Sequence, residues 1–457
     1  MTLIVVLLLL LSYLLIATTH LTGVNKAAIA IFLAAAGWVV YIIWGTDFVM
    51  KFHPGAYAEF LGGSESTSQT VKNFIYDSIF LKYVGRAAAI MMYLLATMSI
   101  IEILNNNGCF DFIIEWIRTR NSKRLLWTIT FATFILSANL DNVTTTIVML
   151  VIMHQIVKSR AQRMLVGSAI VLAAVCGGCF TVIGDPTGLL LWGNDAVTAT
   201  QFSSYLALPA LVSWVLPTLL ISRQLPGRLD IEWAMAPYRG DDTRLNRWQR
   251  VLMLFVGIGG LWFGPTFLSI TRLTAYLGAL VVLAVLWVVN EAFNRKLMNA
   301  DQMSQRRIPR VIQYEALQQM LFVLGIMMGM GVIAETGVLT EVADWIDSNI
   351  NNLWIVGALL GLFSSLVDSF TMAVSGIFLY DVWTVGDYAQ NGAYWMVIAY
   401  CTAVGGCLLS VGSASGMALM KMEHIHLGWY FKNITLKVLA GWIIGLALLW
   451  GEILLFS

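Results

Sequence analysis

Ten separate runs of roughly 20 apolar residues, each enough to cross a bilayer as a helix, leave this chain little choice of solvent. They lie near Met1–Thr18, Ala27–Trp44, Ala87–Leu104, Met164–Ile183, Ser203–Ile221, Val251–Leu268, Leu273–Val289, Leu317–Ala334, Ala393–Val411 and Ile434–Phe456. Of 457 residues, 59% are hydrophobic and 12% charged, about half the charge of a soluble domain. A net charge of +1 offers no footprint for nucleic acid, and the apolar content excludes a disordered chain. The five cysteines lie in or beside apolar runs and imply no disulfide framework. Cys176 and Cys179 read as small residues packed in a helix. Met1–Thr18 has no leading Lys or Arg and no small-residue cleavage site after it, so it reads as a retained first span. No cofactor is expected.

Two further apolar stretches, Leu125–Val157 and Asn352–Val382, are too long for one span, and each is interrupted by a polar cluster containing an Asp. Charge decides how they run. The first is flanked by Arg118, Arg120, Lys123 and Arg124, then by Lys158, Arg160 and Arg163, so both its ends read as cytoplasmic. The second lies between Glu341, Asp344, Asp347 and Asp381, Asp387, with no Lys or Arg from Val311 to Met420, so both its ends read as external. Two re-entrant hairpins, 125–157 and 352–382, entering from opposite faces, satisfy both patterns. The basic loops Ser222–Arg250 and Asn290–Tyr314 then fall inside, and the N-terminus outside. Gly45–Gly85 becomes an external insertion whose polar patch Gly62–Thr70 reads as a loop.

The chain also repeats itself. Ser137-Ala-Asn-Leu-Asp141-Asn-Val-Thr144 aligns with Ser364-Ser-Leu-Val-Asp368-Ser-Phe-Thr371, 227 positions later. Gly177-Gly-Cys179, Gly184 and Gly188 align with Gly405-Gly-Cys407, Gly412 and Gly416, 228 positions later. Each half holds five spans and one hairpin, and an odd number of spans turns the second half over. The expectation is an all-α integral membrane protein with an inverted repeat, the design of many secondary transporters. The halves are 1–221 and 251–457, joined by a cytoplasmic linker, 222–250.

Irregular backbone at membrane depth persists only where protein buries it or it lines a watery cavity. The hairpin tips Ser137–Thr146 and Ser364–Thr371 and the glycine-rich breaks Gly177–Gly188 and Gly405–Gly416 are such places. They hold three carboxylates, Asp141, Asp185 and Asp368, with no Lys or Arg inside the spans to pair with them; Glu102 lies near the end of the third span. A carboxylate at that depth costs roughly 2.5–3.5 kcal/mol on insertion scales unless it is paired, hydrated or protonated. Asp368 reads as a helix cap as readily as an ion ligand. Asp141 and Asp185 lie among the oxygens of Asn139, Asn142, Thr144, Thr145, Thr146 and Thr187, a setting for a hard cation. Desolvation also favours the protonated acid, so a proton can compete with that cation. His424 and His426, beside Glu423, read as surface residues.

The run Ser137-Ala-Asn-Leu-Asp-Asn-Val-Thr-Thr-Thr, followed by Gly177-Gly and Ile183-Gly-Asp-Pro-Thr with Leu191-Trp192, resembles the NhaD-type sodium/proton antiporters of the ion transporter superfamily. Met98-Ser-Ile-Ile-Glu102 with Gly108-Cys-Phe-Asp111 is similar to the same family, whose functional glutamate falls on Glu102. The resemblance implies ion-site roles for Asp141, Asn142, Asp185, Thr187, Ser364 and Ser413, an elevator-type mechanism, a homodimer, and the cytoplasmic membrane of a bacterium. The chain departs from the family at Val175 and Ser369, where Asn is common, at Cys407, where Ser is common, and at Gly188, where Thr is usual.

The reading is an antiporter that moves Na+ or Li+ against H+. Asp141 and Asp185 bind cation or proton in competition, and Asn142, Thr144, Thr145, Thr187, Ser364, Asp368, Ser369 and Ser413 complete the shell. A cation-coupled symporter of an anion is the alternative, which three aspartates disfavour. A membrane-embedded enzyme is the third candidate, and the chain lacks H-E-x-x-H and G-x-S-x-G signatures for it.

Overall fold

The computed structural model describes residues 2–110, 119, 121–228, 230, 245–271, 273–294 and 310–456. Asp111, Arg118, Arg120 and most of the basic residues of the two expected inner loops lie outside the described residues. The described residues form helices throughout, with isolated bridges at Asn121–Arg228 and Trp383–Ala389 in place of strands.

Among the described residues, seven helices are long and apolar enough to cross a membrane: Lys26–Ile43, Ser68–Asn106, Arg160–Cys179, Ala199–Ser222, Ala275–Phe293, Leu317–Glu335 and Leu427–Leu455. The other three expected spans are shorter or interrupted. Thr2–Ala17 has 16 residues, about 24 Å of helix. Val251–Leu268 passes through a π turn at Phe255–Gly259 and is interrupted by a turn at Trp262 before the helix Phe263–Thr271. The helix Ala393–Gly405 stops at the glycine pair. Leu3, Leu7, Leu10 and Leu14 lie exposed along the first helix, a surface that suits lipid and would aggregate in water.

The insertion differs from expectation. It carries two short helices, Gly45–Phe52 and Pro54–Leu61. The polar patch is non-helical only up to Thr67, which exchanges side-chain and backbone hydrogen bonds with Thr70 in a capping box and starts a helix at Ser68. That helix continues through a π turn at Ile75–Phe80 to Asn106, 39 residues, about 58 Å long. About half of it exceeds the bilayer core.

Small residues let the long helices approach. Lys26–Ile43 packs on Arg310–Glu335, where Gly325 and Gly329, four residues apart, lie against Ala30 and Leu33. Ala199–Ser222 packs in the same way on Leu436–Phe456, where Gly441 and Gly445 face Pro217 and Ser213. Without a hydrophobic force between helices in lipid, such close contact and hydrogen bonding hold the bundle. Tyr400 supplies the latter, sharing a hydrogen bond with Ser213 at 2.6 Å and donating to the carbonyl of Trp442 at 2.9 Å.

Each expected hairpin is a pair of helices joined by one or two extended residues. The first, hairpin A, is Ser122–Asn139 and Asn142–Ile156; the second, hairpin B, is Leu353–Leu366 and Ser369–Leu379. Beside each lies a broken helix. Break A separates Arg160–Cys179 from Pro186–Gly193, and break B separates Ala393–Gly405 from Ala414–Glu423. Both arms of each hairpin pack on its own broken helix, and the second arm packs in addition on the restarted helix of the other half. All four irregular points thus meet in the interior.

A Cβ on Gly325 falls 2.6 Å from the backbone of Ala30, whereas one on Gly85 meets nothing within 4 Å. Gly325→Ala is therefore expected to cost about 1–3 kcal/mol by overpacking and to lower the thermal midpoint in detergent. Gly85→Ala leaves it unchanged or raised.

Candidate functional site at the hairpin tips and helix breaks

Where a helix stops and restarts, its first amide N–H groups need partners, and in lipid there is no water to supply them. The chain meets this need with side chains. Asp141 caps the second arm of hairpin A, its Oδ2 accepting from the amides of Val143 and Thr144 at 3.1 and 2.9 Å and from the Thr144 hydroxyl at 3.1 Å. Asp185 caps the restart after break A, accepting from Thr187 N at 2.9 Å, with Pro186 at the first helical position. Asp368 caps hairpin B through Phe370 N and Thr371 N at 3.1 and 3.3 Å. Ser413 caps the restart after break B through Gly416 N at 3.0 Å.

The cap reading weighed for Asp368 therefore holds for all three aspartates, yet each cap uses only one carboxylate oxygen. The other reaches across the structure. Asp141 Oδ1 accepts from Gln319 Nε2 at 3.2 Å, and Asp185 Oδ1 from Asn142 Nδ2 at 2.7 Å. Asp368 Oδ2 meets the ammonium of Lys26 at 3.1 Å. This last contact corrects the expectation that no basic side chain reaches the carboxylates. Lys26 sits at the very start of its helix, just outside the apolar run, and its long stem carries the charge inward.

The remaining candidates divide by what their side chains do. Ser364 donates to the carbonyl of Thr402 at 2.6 Å, and its counterpart Ser137 donates to that of Ala174 at the same distance. Both hydroxyls tie a hairpin tip to its broken helix. Ser369 contributes its backbone, N–H to Gly412 O at 2.8 Å. Thr187 is buried beside Asp185. Among the described residues, the buried Thr145 hydroxyl and the buried carbonyl oxygen of Gln319 have no hydrogen-bond partner. Glu102 is partly buried in the long third helix, and no hydrogen bond among the described residues ties it to Asp141 or Asp185.

Contacts between the halves close the site. Thr146 donates to Ser415 at 3.1 Å, and Ser415 donates to the carbonyl of Asn142 at 3.3 Å, so hairpin A is bonded to the restart of break B. Glycine makes the close approaches possible: a Cβ on Gly177 falls 2.3 Å from Phe134 O, and one on Gly405 falls 2.4 Å from Gly361 O. At the far end of hairpin A, the buried Glu423 accepts from Arg163 Nε and pairs with His154. His424 and His426 are exposed, as read.

Sequence reasoning missed Gln319 and Lys26. Neither lies in a polar cluster or a motif, and only the packing of their helices against the hairpin tips brings them in. The Asn142–Asp185 bond is open to direct test by a double-mutant cycle with Asn142→Ala and Asp185→Ala. Thermal unfolding is expected to show a coupling of about 1.5–3 kcal/mol, the range for a hydrogen bond to a charged group. Additive losses would mean that the bond does not hold the two segments together.

Residues 1–381 match the family described as CitMHS: Citrate transporter. The chain is 31% identical over 431 residues to Sodium/proton antiporter 1 of Arabidopsis thaliana, covering 93% of this chain and 68% of that protein. It is 31% identical to Sodium/proton antiporter 2 of the same plant, covering 79% and 84% respectively. It is also 26% identical to the Na(+)/H(+) antiporter NhaD of Vibrio cholerae, covering 79% and 77%. With most of its length matched and its apolar helices in place, the chain is a multi-pass membrane protein that belongs to the CitMHS transporter family and, within it, groups with the NhaD-type sodium/proton antiporters.

Proposed function

We propose that the protein exchanges Na+ or Li+ for H+ across its membrane, with Asp141 and Asp185 as the shared site. The observation that carries this is the pairing of those two carboxylates: Asn142 joins their segments, and among the described residues every hydrogen-bond partner they have is a neutral donor. Neutral donors lower the cost of the buried charges without cancelling them. A cation or protons must do so, and the two compete. The unpartnered oxygens of Thr145 and Gln319 add neutral ligands of the kind a hard cation takes. Asn142, Thr144, Thr187, Ser364, Ser369 and Ser413 complete the proposed shell, with Glu102 in a supporting role.

The architecture fits the same reading. The serine bonds, the caps and the glycine contacts recur between the halves at the spacing of the repeated motifs, which supports an inverted repeat of residues 1–221 and 251–457. In an elevator-type cycle, the hairpins and breaks move as a unit relative to a fixed scaffold. We assign the working form as a homodimer, whose contacts hold that scaffold still. Relatives from a plant and from bacteria both match, and the bacterial cytoplasmic membrane remains the proposed location.

The family description favours a second reading, cation-coupled transport of a carboxylate anion. An anion site at a helix start needs free N–H groups. Here the amides of Val143, Thr144, Thr187, Phe370 and Thr371 are already held by the chain's own carboxylates. The fold supplies its own anions, and that leaves the antiporter ahead.

Dequenching of a pH dye in proteoliposomes, with Na+, Li+, K+ and citrate compared, tests the choice. Na+ or Li+ is expected to drive proton release, and citrate is not. Asp141→Asn and Asp185→Asn should each reduce exchange to background. Where the site is mostly protonated, the apparent KM for Na+ should rise by about tenfold for each unit fall in pH for one competing proton, or about a hundredfold for two, the mass-action result for pure competition. Normal Na+-driven proton release by Asp141→Asn would refute the site.

A further inference from the structure

We propose that Lys26 is a built-in cation that fills the second half of the site, so that the protein binds one transported Na+ rather than one per half. The inference rests on the antiporter reading and names what sets its ion count.

Two features single out Lys26. Its ammonium lies between the Asp368 carboxylate and the backbone carbonyl of Val411, 3.1 Å from each. Val411 belongs to break B, where unwinding turns a carbonyl away from helix bonding. A carboxylate oxygen together with a freed carbonyl of a broken helix is a donor set for a cation. The second feature is its position. Lys26 is the first residue of its helix, where the helix dipole disfavours a positive charge. Helix formation therefore gives no reason for a lysine there, whereas the buried carboxylate does: the side chains are 16% and 4% exposed.

The halves differ in charge by the same logic. At the positions of Asp141, Asn142 and Asp185, the second half carries Asp368, Ser369 and Ser413. The first half thus holds two carboxylates met by amides. The second holds one carboxylate met by an ammonium and sums to zero. A transported cation is required in the first half and displaced from the second.

Equilibrium binding of radioactive Na+ to the purified full-length protein at alkaline pH reads the count directly. Wild type is expected to bind one Na+ per chain, and Lys26→Gln two, a twofold rise. Lys26→Arg, which keeps the charge, should stay at one, and Lys26→Gln with Asp368→Asn should return to one. Two ions in the wild type, or an unchanged single ion in a well-folded Lys26→Gln, would overturn the inference and leave the antiporter reading intact. No Na+ bound by the wild type would instead refute the antiporter reading. Should Lys26→Gln fail to fold, Lys26→Met, which also removes the charge and leaves Asp368 in place, is measured instead: two bound Na+ per chain support the inference, and one overturns it.

Discussion

The backbone at membrane depth must satisfy its own hydrogen bonds, and the centre of this protein follows from how it does so. Two hairpins and two broken helices start new helices in the interior, each exposing amide N–H groups. Three of those four starts are capped by aspartate and one by serine. A neutral cap would have met the same need, as Ser413 does. Choosing aspartate brings negative charge into the buried interior, and that charge is the raw material of the proposed chemistry.

Each carboxylate divides its work between structure and charge. One oxygen closes a helix start, and the other reaches a group on a distant segment: Gln319, Asn142 or Lys26. The cap holds the carboxylate in one orientation, so its second oxygen is presented in a defined direction at little further cost in entropy. What the second oxygen meets then determines the net charge. Two amides leave charge to be balanced from outside, by one cation with a proton or by protons alone, whereas an ammonium balances the third from within. One backbone requirement, met three times, gives two different electrostatic results.

Much of this was legible in the residues. The apolar runs, the two interrupted stretches and the repeated Ser–Asp–Thr and Gly–Gly motifs located both hairpin tips and both breaks, because each depends on local composition. The helical character of the insertion was not legible from its polarity, since Thr67 and Thr70 start a helix by reciprocal capping inside a patch that reads as a loop. Span lengths also went partly astray. A turn at Trp262 interrupts one apolar run, and a glycine pair ends another helix early, neither of which hydropathy registers.

By itself, the sequence determined the solvent, the helical class and the location of the interior carboxylates, since hydropathy, glycine and aspartate act through near neighbours in the chain. Only the tertiary structure decided what those carboxylates meet. Gln319 lies 178 positions from Asp141 and Lys26 lies 342 from Asp368, each on a helix whose own pattern says nothing of the contact. Whether a buried carboxylate keeps or loses its charge depends on a partner a few ångströms away in space, and at such separations along the chain only packing brings that partner in.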